Sequence, residues 1–239
     1  ERAETIPASW YLEPAFDILD RHVLYEQGWH FVGHQSQVAD PGQFLTARIG
    51  DESLIVVRSK EGTLNAFYNV CRHRGGPLET RPCGTVKMLQ CKYHGWTYRL
   101  DGSLRGVPRF DRAELFDKAD YGLVPVTLAV WEGLIFVSLS TSPESLDTWT
   151  AGIRERIAPM DLSALTFYRR VSYRIKCNWK VYVDNYLEGY HLPFVHPELC
   201  DVLDVNAYET ELHPHYSLQF SPITEDENAY GTTGGTAYY

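Results

Sequence analysis

No uninterrupted apolar run in this 239-residue sequence is fit to cross a bilayer. The longest nearly charge-free stretch, Tyr121 to Ser140, has the length of a span, but Pro125 and the Trp131-Glu132-Gly133 break divide it into two β-branched runs that read as strands. Basic residues are the minority charge. Twenty-two Lys and Arg stand against 31 Asp and Glu, a net charge of −9, which works against attraction to nucleic-acid phosphates or anionic lipid. Neither nucleic acid nor a membrane is an expected partner. Cysteine is scarce and odd in number: Cys71, Cys83, Cys91, Cys177 and Cys200. No basic-then-apolar run opens the sequence and its first residue is Glu1 rather than Met, so we expect a sequence trimmed at that end and a reducing, cytoplasmic compartment, where clustered cysteines bind metal more often than they pair. Cys83 is expected to be a small packing residue, and Cys177 and Cys200 buried, inert thiols. There is no internal repeat and no low-complexity segment.

Hydrophobic residues at 44% and charged residues at 22% exclude a disordered, collagen-like or coiled-coil chain, and the length suits one large or two modest domains. Phe16, Leu19, Val23 and Leu24 recur at helical spacing, predicting a short amphipathic helix over Ala15 to Tyr25. From Trp29 to Leu139 short β-rich runs, Phe44–Ile49, Leu54–Arg58 and Leu64–Val70, alternate with turn signals at Pro41-Gly42, Glu61-Gly62 and Asp101-Gly102. Beyond that, Ser145 to Ile157 reads as helix and Phe167 to Cys177 alternates like a strand. Asn178 is placed to cap a helix reaching about His191. The fold class is α+β, an all-β unit followed by a mixed one.

Two constellations carry chemistry. The first is Cys71-Arg72-His73 and, seventeen residues on, Cys91-Lys92-Tyr93-His94. Each half offers one thiolate and one imidazole from a tight loop. Two Cys and two His fit zinc, and equally a [2Fe-2S] cluster with one iron held by thiolates and the other by imidazoles. Zinc fingers usually give one half two cysteines and the other two histidines. The interleaved order here instead lets each iron take one ligand from each loop. Gly75, Gly76 and Gly95 relieve the backbone where it passes close to sulfide.

The second runs from Asp184 to His196. On a continuous helix Asp184, Glu188 and His191 occupy i, i+4 and i+7 and share one face. His196 falls off that face, but Pro193 permits a kink or helix end that swings its imidazole back toward His191. Two histidines and a carboxylate with open positions make the facial arrangement of a mononuclear non-haem Fe(II) centre.

The ligand pairs, with Arg74-Gly75-Gly76-Pro77-Leu78 after the first and Tyr93-His94-Gly95-Trp96 in the second, resemble a Rieske domain. The disulfide cysteines of respiratory Rieske proteins are lacking. Together with the Asn185-to-His196 segment, over roughly residues 30 to 200, the chain resembles the alpha subunits of Rieske non-haem iron oxygenases, the aromatic-ring-hydroxylating dioxygenase family. The wording Asn185-Tyr186-Leu187-Glu188-Gly189-Tyr190-His191 is most similar to the choline, carnitine and betaine monooxygenases.

The resemblance implies an N-terminal helical segment over 1–28 packed on the catalytic domain, a Rieske domain over 29–140, and a helix-grip (START-like) catalytic domain over 141–239 that lacks its C-terminal part. It implies a [2Fe-2S] cluster on Cys71, His73, Cys91 and His94 and an Fe(II) on His191 and His196, with a third, aspartate ligand beyond residue 239. Glu188, where the family usually has Asp, would bridge the iron site to a Rieske histidine of a neighbouring subunit. The expected partners are a ferredoxin or flavin reductase, dioxygen, a small organic substrate, and copies of the chain in a homotrimer with or without a small β subunit. A quaternary ammonium substrate is favoured, with Tyr186, Tyr190, Phe194, Tyr208 and Phe220 as candidate cage rings, and an aromatic compound comes next. The competing readings are a Rieske-type electron carrier without oxygenase activity and a zinc-stabilised binding module.

Overall fold

The computed structural model describes residues 4–110, 112–158, 160–223 and 236–238. The chain divides into two compact units, one of Asp17–Pro143 and Leu162–Arg169, the other of Glu1–Phe16, Glu144–Asp161 and Arg170–Tyr239.

In the first unit ten strands form three antiparallel sheets. They are β1 (His30–His34), β2 (Gln43–Ile49), β3 (Glu52–Arg58), β4 (Leu64–Tyr68), β5 (Cys83–Thr85), β6 (Leu89–Gln90), β7 (Thr97–Tyr98), β8 (Leu104–Gly106), β9 (Thr127–Trp131) and β10 (Leu134–Ser138). The sheet orders are β4-β3-β2-β5, β1-β10-β9 and β6-β7-β8. The unbroken apolar run Leu54-Ile55-Val56-Val57 explains the arrangement. Its side chains alternate between two cores, so β3 is buried on both faces and all four residues are fully enclosed. Ile55 and Val57 join Phe44, Trp96 and the two thiols Cys71 and Cys91; Leu54 and Val56 join Leu45, Ile135 and Val137. Trp131-Glu132-Gly133 turns a hairpin, with Trp131 paired to Leu134, and the two strands expected there are β9 and β10.

The second unit is α+β. Helix α1 (Ser9–Leu12) belongs to it, whereas α2 (Pro14–Asp20), continued as a π-helical turn over Arg21–Glu26, passes into the first unit at Asp17. The helix expected over Ala15 to Tyr25 therefore forms, yet none of its residues is buried. Ser145 caps α3 (Leu146–Trp149), and Gly152 separates it from α4 (Ile153–Ile157), two short helices in place of the single one expected. Asn178 caps α5 (Trp179–Tyr186), followed by α6 (Leu192–Val195) and α7 (Pro197–Cys200). The strands β11 (Glu209–Leu212), β12 (Ser217–Pro222) and β13 (Thr236–Tyr238) pair antiparallel in that order. Leu192 and Leu203 centre a small core with Cys200, Val205, Tyr208 and Ile223.

Two expectations are corrected. Phe167–Cys177 forms no strand; Tyr168 and Tyr173 are exposed, because alternation supplies a face but a ladder also needs a partner. Cys83 and Cys177 are exposed and Cys200 half-buried rather than packed inside. Among the described residues no helix is long and apolar enough to cross a membrane.

Candidate metal centres

The two Cys-His loops share one backbone frame. The Cys71 amide donates to Gly76 O at 2.8 Å and the Gly75 amide to Cys71 O at 3.1 Å; the Cys91 amide donates to Trp96 O and the Gly95 amide to Cys91 O, both at 2.9 Å. Each loop thus closes on its cysteine through bonds at the same offsets. Each also places a glycine four residues after that cysteine in the left-handed region, with φ +72° at Gly75 and +77° at Gly95, where a side chain would be strained. At Gly76 the constraint is space, since a Cβ there would lie 3.1 Å from Cys91 Sγ.

These loops bring like donors together. Cys71 and Cys91 are 2% and 3% exposed in one apolar cluster, and burial pushes the Cys71 thiol up from its ordinary value. The rings of His73 and His94 meet edge to face at 4.7 Å. His73 also stacks on Trp96 at 4.9 Å, and Trp96 is boxed by Phe110, Phe116 and Tyr121. Burial, reinforced by His94 and Arg74, lowers the His73 pKa and favours a neutral imidazole. Two further groups fix the first loop, and neither stood out in the sequence. The Tyr98 hydroxyl lies 3.2 Å from Cys71 Sγ and accepts the Arg72 amide at 3.0 Å. Asn69 and Glu79 clamp the base of the loop: Asn69 Nδ2 donates to Glu79 O at 2.6 Å, and the Glu79 amide donates to Asn69 Oδ1 at 3.0 Å. The Glu79 carboxylate, 6% exposed, accepts from Arg81 and from the Thr80 amide; these bonds hold its pKa at about 2.

The second constellation is assembled differently from the expected helix face. Helix α5 ends at Tyr186, so Asp184 is helical while Glu188 and His191 lie beyond it. Gly189 approaches the Tyr208 ring so closely that a Cβ would sit 2.8 Å from it. The chain turns there, and Glu188 folds onto its own turn, accepting from the Tyr190 and His191 amides and pairing with His191 Nδ1 at 2.6 Å. Burial raises the Glu188 pKa, but the bonds from the His191 ring and the Tyr190 amide prevail and lower it. Asp184 instead accepts from the Tyr11 hydroxyl. Pro193 opens the new helix α6 rather than ending an old one, and His191 and His196 flank it with their rings 5.4 Å apart, edge to face.

Both histidines line a depression of about 160 Å³ with Glu188, Leu192, Tyr186 and Tyr208. Of the other candidate cage rings, Tyr190 and Phe194 are almost fully exposed, and Phe220 lies under the Arg156 guanidinium. Among the described residues no three His, Cys, Asp or Glu side chains converge on a single ion. Asp204 is engaged with the Asn206 amide.

Residues 28–127 match the Rieske [2Fe-2S] domain family, and residues 162–235 match the ring hydroxylating alpha subunit catalytic domain. The chain belongs to the Rieske non-haem iron oxygenases. It is 34% identical over 231 residues to the chloroplastic choline monooxygenase of Arabidopsis thaliana, covering 92% of this chain and 54% of that one. It is 38% identical over 199 residues to the glycine betaine monooxygenase oxygenase subunit of Chromohalobacter salexigens, covering 83% and 44%. A solved quaternary ammonium Rieske monooxygenase, connected with carnitine oxidation by gut microbiota, superposes with a TM-score of 0.89 at 30% identity over 98% of this chain and 65% of that chain. The chain thus spans about half the length of these curated relatives.

The two domains of a Rieske oxygenase imply a Rieske cluster and a mononuclear iron. The residues fit the first group. Nδ1 of His73 is buried with no hydrogen-bond partner among the described residues, as a ring nitrogen reserved for a metal would be, and two buried thiols lie beside it. For the second, His191 and His196 supply two imidazoles on one depression, and the His191 Nδ1 bond to Glu188 leaves Nε2 for a metal.

Proposed function

We propose that the chain is the terminal oxygenase component of a multicomponent system that hydroxylates a small quaternary ammonium compound using dioxygen. The observation that carries this is the pair of matched Cys-His loops, with His73 and His94 in contact and His73 Nδ1 left unpaired. In this reading Cys71, His73, Cys91 and His94 hold the cluster within a Rieske domain over 29–140, and His191 and His196 hold Fe(II) within a catalytic domain over 141–239, with residues 1–28 packed on it. When bound, the cluster supplies electrons singly and the iron supplies dioxygen activation.

The chain's own residues have definite tasks. Trp96 keeps the His73 ring in one orientation by stacking, and the Tyr98 hydroxyl holds the Cys71 sulfur. Glu188 fixes the His191 ring by holding a proton at Nδ1. In a trimer its carboxylate would also bridge to a Rieske histidine of a neighbouring subunit, as the family resemblance implies. Tyr186 and Tyr208 offer ring faces to a cation in the depression, and the quaternary ammonium relatives support that substrate class. An acidic, cytoplasmic protein reduced by a ferredoxin or flavin reductase completes the reading.

Metal and sulfide analysis of anaerobically purified protein tests it. We expect a red-brown chain with two irons and two sulfides for the cluster, and a smaller amount of mononuclear iron, removed by replacing His191 and His196, because two imidazoles alone hold it weakly. An electron carrier would hold two irons and consume no oxygen; a zinc module would be colourless. Cys91→Ser should remove the visible absorption and most of the sulfide, and a variant keeping both would end the assignment.

A further inference from the structure

The segment that bears the cluster ligands reverses the charge of the chain around it. Residues 70–112 hold nine Lys and Arg against three Asp and Glu, a balance of +6 within a chain of −9. Three of those cations, Lys87, Arg99 and Arg105, meet Lys60 around one depression of about 260 Å³, and all four are exposed. Glu61 and Asp101 also border it, yet none of the four cations lies within ion-pairing distance of a carboxylate among the described residues. Arg99 donates to Ser103 Oγ and Arg105 contacts Met88 Sδ, while Asp101 is occupied by the amide and hydroxyl of Ser103. Arg99 also helps to hold the Asp101 carboxylate below its ordinary range, behind the bonds from Ser103, so Lys60, Lys87 and Arg105 are the cations left to act outward.

The depression is connected to the thiols. Leu100, which lines it, packs in the same apolar cluster as Cys71 and Cys91. Arg99 directly follows Tyr98, whose hydroxyl touches Cys71 Sγ. Met88 is three residues from Cys91, about 10 Å of extended chain. Neither His73 nor His94 borders the depression.

We infer that this basic depression is the docking surface for an acidic face of the electron-donor protein, bringing the donor to the thiol side of the cluster. The inference rests on the assignment of Cys71, His73, Cys91 and His94 to that cluster. Each productive encounter moves one electron. The donor's one-electron centre is oxidised, the pair of irons is reduced from diferric to mixed-valence, and no bond to the donor is made. Opposed charges at such a surface act mainly on the association rate, and salt screens them.

The test is stopped-flow reduction of the cluster-loaded chain by a reduced acidic plant-type [2Fe-2S] ferredoxin, followed by the Rieske cluster's circular dichroism at several ionic strengths. The Lys87→Glu, Arg105→Glu pair should slow the second-order rate by about tenfold and flatten its salt dependence, whereas Arg48→Glu, elsewhere on the same unit, should stay within about twofold of wild type. Iron, sulfide and reduction potential should be unchanged in all three. Should the charge-reversed pair lose its cluster, Lys60→Gln with Arg99→Gln serves instead, with a drop of about threefold expected. Wild-type rates and salt dependence in cluster-loaded variants would overturn the docking surface. So would failure of the wild type to accept electrons from the acidic ferredoxin, or saturable binding of inorganic phosphate lost in the variants, which would make the depression a small-anion site. A wild-type chain without iron and sulfide would instead refute the ligand assignment, and the docking with it.

Discussion

Tyr98, on the strand that leaves the second ligand loop, bonds to the first: its hydroxyl lies 3.2 Å from Cys71 Sγ and accepts the Arg72 amide at 3.0 Å. Either atom can donate while Cys71 is a thiol, but a thiolate holding iron has no hydrogen, so there the phenol must be the donor. Burial and this contact with Cys71 raise the Tyr98 pKa, so the donor stays protonated across the working range.

Tyr98→Phe should therefore keep the cluster and lower its potential. A hydrogen bond to sulfur favours the more negative, reduced state, and about 1 kcal/mol of such preference corresponds to about 40 mV for a one-electron couple. Voltammetry of wild type and variant would measure the shift. Equal potentials would remove Tyr98 from any tuning role.

At Gly76 the expectation is loss of occupancy rather than a changed potential. The added methyl of Gly76→Ala would press on the Cys91 sulfur at 3.1 Å. Iron and sulfide per chain should fall below half of wild type on the same reconstitution, while Gly122→Ala, with φ −58° and an ordinary 3.5 Å contact from the added methyl to Gly102 O, should reconstitute normally.

Glu79 supplies a pH signature. Its folded pKa, about 2, lies below the ordinary 4.5, chiefly through the hydrogen bond from Arg81. A depressed carboxylate contributes stability that is complete above the unfolded value and is lost as pH falls from about 4.5 toward about 2. Denaturant midpoints of wild type should thus fall more steeply in that window than those of Glu79→Gln. At neutral pH the variant should be less stable by about 1–2 kcal/mol, a figure reduced for the exposure of Arg81. Parallel pH profiles would show that the ion pair does not brace the loop.

The sequence exposed the first centre more fully than the second for a physical reason. Cys71, His73, Cys91 and His94 sit in loops of a few residues, where spacing and glycine placement nearly determine which donors can meet. Glu188 and His191 were placed by assuming a continuous helix, and they meet through a turn instead. Gly189 held the missing signal, but its meaning depends on Tyr208, nineteen residues away, which no local pattern reveals. Tyr98 carries no local signal for a similar reason, since it acts on a loop 27 residues away, while Asn69 and Glu79 flank that loop and reveal their pairing only once its two ends meet. Leu54 to Val57 carried their message openly: four apolar residues in succession, with no polar alternation, mean a strand covered on both sides.

Asn178, by contrast, acts locally as expected. Its Oδ1 accepts from the Lys180 amide at 3.0 Å, and its Nδ2 donates to Tyr11 O at 2.9 Å. Asn178→Ala should destabilise the second unit by about 1 kcal/mol through the lost cap, with a further loss from the Tyr11 bond. Asn178→Asp should restore the cap alone. Urea unfolding monitored by far-ultraviolet circular dichroism would rank the three proteins, and an alanine variant as stable as wild type would show that α5 stands without its cap.

The Asn69–Glu79 clamp is made wholly of protein groups, on residues that flank the first loop rather than belong to its ligands. A loop tied at its base has surrendered most of its conformational freedom before any metal arrives, so less of the binding energy of iron and sulfide goes to ordering the chain. Preorganisation of this kind acts on how long the cofactor stays. With a cluster bound, a thiolate that let go would be kept near its site by the tied loop, and recapture would compete with escape. Cofactor loss to a chelator should accordingly quicken in Asn69→Ala even where the spectrum of the loaded protein is unchanged.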